Sequence, residues 1–213
     1  MNILRAPIDV LKKRNKFHYL LIFSIMLVLF INAFFSGKYL YNTQPDKAKQ
    51  ILDSVKNIEK LKTLDMMMEE GKYVSVSVLI FFNNFLIDVF ASYSGIIFIF
   101  SILIPFSNVL LLGVLIGIQS MIPNALTLWR GLLLFIVAGM EVFCMILSTY
   151  EGLRIGYSII KPAAFGKKKR ADALKIAYKE ASKILVLIAI ILILAAIIET
   201  AGIAYLNSTF QSI

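Results

Sequence analysis

A small group of polar side chains interrupts long apolar stretches of this sequence, and these residues carry its most distinctive chemistry. Asn83 and Asn84 lie one helical turn before Asp88, and Asn108 and Glu141 follow in later apolar stretches. An ionised carboxylate at the centre of a bilayer costs about 2.5–3.5 kcal/mol or more. We therefore expect Glu141 to face other helices, either protonated or hydrogen-bonded to asparagine side chains. These five residues form the predicted intramembrane polar cluster.

The polar cluster has three interpretations. Interhelical bonds of Asn and Glu side chains commonly fix the register of membrane helices, so a structural role is the first. Passage of an ion, a proton or a polar solute is the second. Catalysis is the weakest, because Glu141 has no nearby His, no second carboxylate at hydrolytic spacing and no Ser–Lys pair. Cys144, Ser148 and Gly152 continue the helix face of Glu141 and predict a narrow polar stripe.

The composition indicates that membrane helices must position these residues. Of the 213 residues, 59% are hydrophobic and 16% are charged, whereas globular proteins average about 45–50% and 25%. One cysteine, Cys144, and one histidine, His18, exclude a disulfide framework, zinc chemistry and Cys–His catalysis. The sequence predicts no cofactor, no metal site and no enzymatic activity.

Five apolar runs are long enough to cross a bilayer core of about 30 Å. They cover 17–35, 73–92, 94–118, about 126–150 and about 184–205. The third run would span about 37 Å as a straight helix, so we expect it to tilt or to bend at Pro105. Two short re-entrant pieces broken at Pro105 are the alternative. Gly113 and Gly117 in this run predict close packing against a neighbouring helix.

Charge placement predicts the orientation. Five basic residues precede the first run, and nine lie between Arg154 and Lys183. Basic flanks prefer the cytoplasm. Four spans between the two basic blocks place both on the cytoplasmic side, whereas three spans would place them on opposite sides. We therefore expect five spans, a cytoplasmic N-terminus and an external C-terminus. The first run is too long for a signal-peptide core and lacks an Ala-x-Ala site, which favours an uncleaved anchor.

Two polar segments have separate predicted roles. The Lys167, Lys168, Lys169 and Arg170 run is expected to contact anionic lipid headgroups. Nucleic-acid binding is disfavoured, because no aromatic stacking platform accompanies that run. Arg130, Arg154 and Glu199 lie near span ends, where snorkelling explains their charges.

The predicted external segment, 37–72, has the pattern of one amphipathic helix of six or seven turns. Its helix is expected to begin at Pro45 and Asp46. Its apolar positions recur every three or four residues: Ile51, Leu52, Val55, Ile58, Leu61, Leu64 and Met68. This stripe either lies on the bundle or the outer leaflet, or docks an external partner.

The predicted fold is an all-α, polytopic transmembrane bundle. Its parts are a cytoplasmic basic arm (1–16), a first span (17–36), the external segment (37–72), a four-helix core (73–205) with a cytoplasmic basic segment (151–183), and an external tail (206–213).

One pattern in this core resembles the stage II sporulation protein M family. Asn83 and Asn84 are followed by Gly95 and Asn108, and Glu141 is followed eleven residues later by Gly-Leu-Arg-Ile-Gly. The family motif therefore falls on Glu141, Gly152, Arg154 and Gly156, and the resemblance covers roughly 73–205, about two thirds of the chain. The family usually has His-Gly four and three residues before the glutamate, where this chain has Val137 and Ala138. A proton-dependent activity that used that histidine would be absent or different here.

The resemblance implies a multi-span protein without established enzymatic activity, similar to a membrane anchor for a complex with cell-wall hydrolases. We carry over the architecture and the scaffold class, but not the sporulation process. Two functional hypotheses follow. The first is a non-enzymatic scaffold or assembly subunit of an envelope complex, with a protein partner or a second copy of itself. The second is a small transporter or channel subunit that uses the polar cluster.

Overall fold

The computed structural model describes residues 4–123 and 128–210, and every regular element in these ranges is helical. The α-helices are α1 (Arg5–Lys12), α2 (Lys16–Thr43), α3 (Pro45–Lys56), α4 (Glu59–Glu69), α5 (Tyr73–Tyr93), α6 (Phe98–Gln119), α7 (Leu128–Ile160) and α8 (Arg170–Phe210). Two short 3-10 turns, Ser94–Ile96 and Pro162–Phe165, join α5 to α6 and α7 to α8. The all-α prediction is confirmed.

Five of these helices, α2, α5, α6, α7 and α8, are long and apolar enough to cross a membrane. This number, counted over the described ranges, confirms the predicted five spans. Several helices outlast their apolar runs: α2 continues to Thr43, α7 to Ile160, and α8 begins as early as Arg170. Hydropathy marks only the apolar part of a helix, and at the start of α8 the Lys, Glu and Ala residues of 170–183 prolong it as good helix formers. The predicted start of the fourth span, at 126, lies outside the described residues.

The α8 helix changes the interpretation of two predicted segments. It runs without interruption from Arg170 to Phe210, so residues 170–183 of the predicted basic segment (151–183) and the fifth span are one helix. The tail predicted from 206 also begins inside this helix, while residues 211–213 lie outside the described part of the chain.

The α6 helix passes through Pro105 without a break, so the alternative of two re-entrant pieces is wrong. Neighbouring protein can satisfy the backbone group that a proline frees in a membrane helix. The predicted close packing at its glycines is confirmed. A Cβ atom on Gly117 would overlap the carbonyl oxygen of Phe34, and one on Gly113 would meet that of Phe30. The two glycines therefore let α6 approach the backbone of α2.

The predicted single amphipathic helix between the first two spans is two helices, α3 and α4, which contact each other. The backbone leaves the helical conformation at Ile58, whose ψ angle is 121°, and the amide of Asn57 caps the last turn of α3. The side chain of Ile58 is half exposed rather than part of a continuous apolar stripe. The three- to four-residue spacing of apolar positions includes Ile58. This spacing therefore predicted a continuous helix although the backbone breaks at that residue.

The chain divides into two compact units. Within the described ranges, the first contains 4–26, 83–107 and 140–192, and the second contains 27–82, 108–123, 128–139 and 193–210. The first unit contains α1, the second contains α3 and α4, and each holds parts of the five long helices. In the first unit, Ile155 on α7 packs with Ala177 and Ala181 on α8, and Tyr93 and Tyr178 cover this contact.

Candidate functional site

Asn84 and Glu141 join α5 to α7 inside the first unit. The Asn84 side-chain amide donates a hydrogen bond to Oε1 of Glu141, and both side chains are partly buried. Asn83 is exposed, and its amide donates to Oδ1 of Asn84 at 3.3 Å. The expected bond between Glu141 and an asparagine is therefore present.

A second polar contact lies one turn further along α5. The Ser148 hydroxyl donates to Oδ1 of Asp88 at 2.6 Å, and Asp88 is only 2% exposed. One more turn along, the Ser92 hydroxyl donates to the carbonyl oxygen of Ser148 at 3.4 Å. Offsets of four on α5 and seven on α7 keep these groups on facing sides of the two helices. We call the Asn84–Glu141 and Asp88–Ser148 pairs the α5–α7 polar pairs.

The polar stripe predicted on α7 is buried beyond Glu141. Cys144, Ser148 and Gly152 are all buried. The Cys144 thiol donates to the carbonyl oxygen of Ile188 on α8 at 3.9 Å. The stripe therefore faces two neighbouring helices, α5 and α8, within the first unit.

Asn108 and Glu199, the other polar groups predicted within the spans, belong to the second unit. Asn108 is partly buried on α6, and the hydroxyl of its neighbour Ser107 donates to the carbonyl oxygen of Ile104 at 2.9 Å. Glu199 is partly buried on α8. The structure thus brings together Asn83, Asn84 and Glu141 directly and Asp88 one turn away, all in the first unit.

The motif glycines lie where helix backbones meet. A Cβ atom on Gly152 would overlap the carbonyl oxygen of Ala91 on α5. One on Gly156 would overlap the carbonyl oxygen of Gly95 and the ring of Phe98. Hydrogen at these two positions lets α7 pack against the turn from α5 to α6, so both are packing residues.

Four charged residues form a cluster that the sequence did not reveal: Arg14, Glu151, Arg154 and Glu180. Arg14 donates from Nε to Oε1 of Glu151 at 2.9 Å and from Nη2 to Oε2 at 2.8 Å. This two-point geometry is the strongest form of an arginine–carboxylate pair. Nη1 of Arg14 also donates to Glu180 at 3.0 Å. We call these four residues the ion-pair cluster.

Arg154 completes the ion-pair cluster. Its Nη1 donates to Oε2 of Glu180 at 2.9 Å and approaches Oε2 of Glu151 at 3.4 Å. Arg154 is therefore paired with two carboxylates, which the snorkelling interpretation did not include. Two arginines balance two glutamates, so the cluster has no net formal charge.

The N-terminal arm reaches into the first unit through Arg14. Its side chain is 5% exposed and that of Glu151 is 1% exposed. Burial alone lowers the pKa of the Arg14 guanidinium, but the carboxylates of Glu151 and Glu180 outweigh it and hold the pKa above its ordinary value. Arg14 therefore remains charged and holds the arm to α7 and α8.

Glu151 is a buried acid to which the sequence analysis assigned no role. The available signal was its position, directly before the Gly-Leu-Arg-Ile-Gly motif on the buried face of a membrane helix. A buried carboxylate there needs a cation or hydrogen-bond donors as partners. Its partner was not evident because Arg14 lies 137 residues away in the chain.

The basic run 167–170 is exposed, in contrast to the ion-pair cluster. This exposure leaves its side chains accessible to a charged surface. Among the residues that the structure describes, no group of three or more His, Cys, Asp or Glu side chains is placed to hold a metal ion.

Apolar spanning helices with internally paired polar groups define a multi-pass helical membrane protein. The chain belongs to the stage II sporulation protein M family, whose model matches residues 24–201. This match extends the resemblance seen at 73–205 to most of α2 and to the α3 and α4 region. No curated protein and no solved structure matches the chain.

Two asparagines of the candidate spans offer a test of the structural role of Asn84. Replacing Asn84 with leucine is expected to lower the free energy of unfolding by about 0.6–2 kcal/mol, because it removes an interhelical hydrogen bond. Asn32→Leu is the matched control, since Asn32 is exposed and its side-chain amide donates to the carbonyl oxygen of Val28 within its own helix, and it should change stability by less than about 0.5 kcal/mol. Denaturation in mixed micelles measures both. Equal losses in the two variants would contradict the assignment.

Proposed function

We propose that this protein is a non-enzymatic scaffold or assembly subunit of a membrane complex. The observation that carries the proposal is the pairing of its intramembrane polar groups with one another, Asn84 with Glu141 and Asp88 with Ser148. Such bonds fix helix register. Membership of the stage II sporulation protein M family supports the same class, because the resemblance implies a membrane anchor.

The proposed orientation has a cytoplasmic N-terminus and an external C-terminus. The ion pair between Arg14 and Glu151 supports it, because the arm and the start of the basic segment then lie at the same end of the long helices. Under the tendency of basic flanks to remain in the cytoplasm, this end is cytoplasmic. The helices α3 and α4 are then external.

An external partner surface is proposed on α3 and α4. Ile58 and Met66 are 50% and 56% exposed, and both lie outside the candidate spans. Exposed apolar side chains between spans are suited to contact with a protein partner or with a second copy of the chain.

Affinity purification of the full chain from its native membranes in mild detergent tests the scaffold proposal. We expect a stoichiometric partner or a homo-oligomer, lost when Ile58 and Met66 are both replaced with glutamate. Ser54→Glu is the matched control, because Ser54 is exposed on α3 but not apolar, and should retain the partner. Repeated recovery of neither a partner nor an oligomer with the unaltered chain would refute the scaffold.

A small transporter or channel subunit is the second candidate, and Asp88 favours it. Its partner is a neutral hydroxyl, and no described Lys or Arg forms an ion pair with it. Carboxylates inside membrane spans commonly mark ion or proton pathways. Together with Glu141, Asp88 would supply two such groups on one helix interface.

Reconstituted vesicles separate the two candidates. We expect the unaltered protein to conduct no ion or proton above the level of empty vesicles, and Glu141→Gln to fold with equal yield. A flux that Glu141→Gln removes at unchanged yield would overturn the scaffold proposal and establish the transporter.

A further inference from the structure

A cavity of about 530 Å³ lies in the first unit beside the ion-pair cluster. This volume falls within the range of about 300–1,000 Å³ found for ligand pockets. Helices α2, α6 and α7 and the 3-10 turn Pro162–Phe165 all contribute to its wall. The lining residues are His18, Leu21, Ile22, Phe98, Tyr150, Leu153, Arg154, Tyr157, Ala164 and Phe165.

One edge of the cavity is polar. Arg154 uses only Nη1 in the ion-pair cluster, and its Nε and Nη2 donate to no residue that the structure describes. Its guanidinium carbon lies 5.0 Å from the centre of the Phe165 ring. The exposed imidazole of His18 lies on the Tyr150 ring, with 5.9 Å between the ring centres. Arginine N–H donors and an imidazole suit a phosphate oxygen.

Apart from the tyrosines, the rest of the wall is apolar. Leu21 and Ile22 on α2, Phe98 on α6 and Leu153 on α7 are hydrocarbon side chains that can contact an acyl chain. The cavity therefore places donors for an anion next to a hydrocarbon surface. A free phosphate would use only the anion donors, and a neutral lipid would use only the hydrocarbon surface.

The surrounding charge is positive. Lys16 begins α2 just before His18, and the exposed basic run 167–170 directly follows the turn that contains Phe165. Basic pockets between membrane helices at such an interface bind anionic lipid headgroups.

We propose that this cavity binds one anionic glycerophospholipid. Its phosphate contacts Arg154 and His18, and one acyl chain lies along Leu21, Ile22 and Phe98. This is a specific site, separate from any general attraction of the basic run to a charged membrane. The proposal is independent of the scaffold function.

Native mass spectrometry of the full chain in detergent tests it. The probes are phosphatidylglycerol, phosphatidylethanolamine with the same acyl chains, and inorganic phosphate. We expect one retained phosphatidylglycerol, with at least about fivefold weaker retention of phosphatidylethanolamine, since one charge contact near a membrane surface contributes about 1 kcal/mol. Equal retention of the two lipids, or equal competition by inorganic phosphate alone, would overturn the proposal.

Two variants locate the site. Ala164→Phe fills the cavity from its rim and should reduce retention at least about fivefold, whereas Ala163→Phe, on the same exposed turn but outside the lining, should not. His18→Glu adds a charge at the polar edge that repels the phosphate and should also weaken lipid retention. This variant tests the site if Ala164→Phe fails to fold. Replacing Lys167, Lys168 and Lys169 with glutamine should weaken retention less than His18→Glu does, because these side chains add to the surrounding charge but do not line the cavity. Unchanged retention in folded His18→Glu, or loss only in the lysine variant, would contradict the site.

Discussion

Replacing Arg14 with alanine is expected to lower the free energy of unfolding by about 3–5 kcal/mol, the usual cost of removing one partner from a buried ion pair. The substitution leaves the Glu151 carboxylate, 1% exposed, without its two-point partner. It also removes a contact from Glu180, so α7 and α8 both lose their ion pair with the N-terminal arm. Denaturation in mixed micelles measures the loss.

The matched control for Arg14 is another arginine of the same arm. Arg5 faces Asp9 at 4.0 Å, but their side chains are 83% and 56% exposed. Because exposed ion pairs contribute about 0–1 kcal/mol, Arg5→Ala should have little effect. Losses of similar size at Arg5 and Arg14 would show that burial of the ion-pair cluster does not stabilise the protein.

A double substitution distinguishes a lost attraction from an unpaired charge. Arg14→Met with Glu151→Leu removes both members of the pair and leaves Arg154 paired with Glu180. Apolar replacement of a buried ion pair is often neutral or stabilising. We therefore expect the double variant to be more stable than Arg14→Ala. If it is less stable, the unpaired carboxylate is not the source of the loss.

Gly152→Ala is expected to be a strongly disruptive single-methyl change. Overpacking usually costs about 1–3 kcal/mol, and we expect a loss at the upper end of this range. The added Cβ would overlap the carbonyl oxygen of Ala91 and also meet the side chain of Ser101. A backbone carbonyl cannot rotate away, so α5 and α7 would have to separate. This separation would also disturb the nearby α5–α7 polar pairs.

Gly139→Ala is the control on the same helix. No heavy atom of the described residues outside its own helix turn lies within 4 Å of a Cβ built at Gly139, and alanine favours a helix by about 1 kcal/mol over glycine. Its stability should be unchanged or higher. Folded yield in the membrane and unfolding in micelles compare the two variants. A Gly152→Ala protein as stable as Gly139→Ala would contradict the close α5–α7 approach.

Much of this architecture follows from the sequence because membrane spans depend on a local property. A run of about 20 apolar residues is sufficient to predict a span, which is why all five helices were found. The stripe of Cys144, Ser148 and Gly152 was predictable for a similar reason, since helical spacing fixes which residues share a face. The same spacing rules placed Gly113 and Gly117 at a helix contact.

The ion-pair cluster was not predictable in this way. Arg14 lies in the non-helical link between α1 and α2, where no periodicity assigns it a face. Its partners Glu151 and Glu180 lie in helices far along the chain, and only folding brings them together. The helix break at Ile58 was also missed. The spacing of this residue fits the apolar face of a continuous helix, but its backbone is not helical.

The proposal that the protein assembles with a partner is tested most directly by photo-crosslinking in intact native membranes. A photoreactive amino acid at Met66 on α4, compared with the same group at the exposed Phe135 in a candidate span, reports what each surface touches. The scaffold predicts one discrete protein adduct at Met66, either to a partner or to a second copy of the chain, and none of that mass at Phe135. The absence of any discrete protein adduct at Met66 would contradict it.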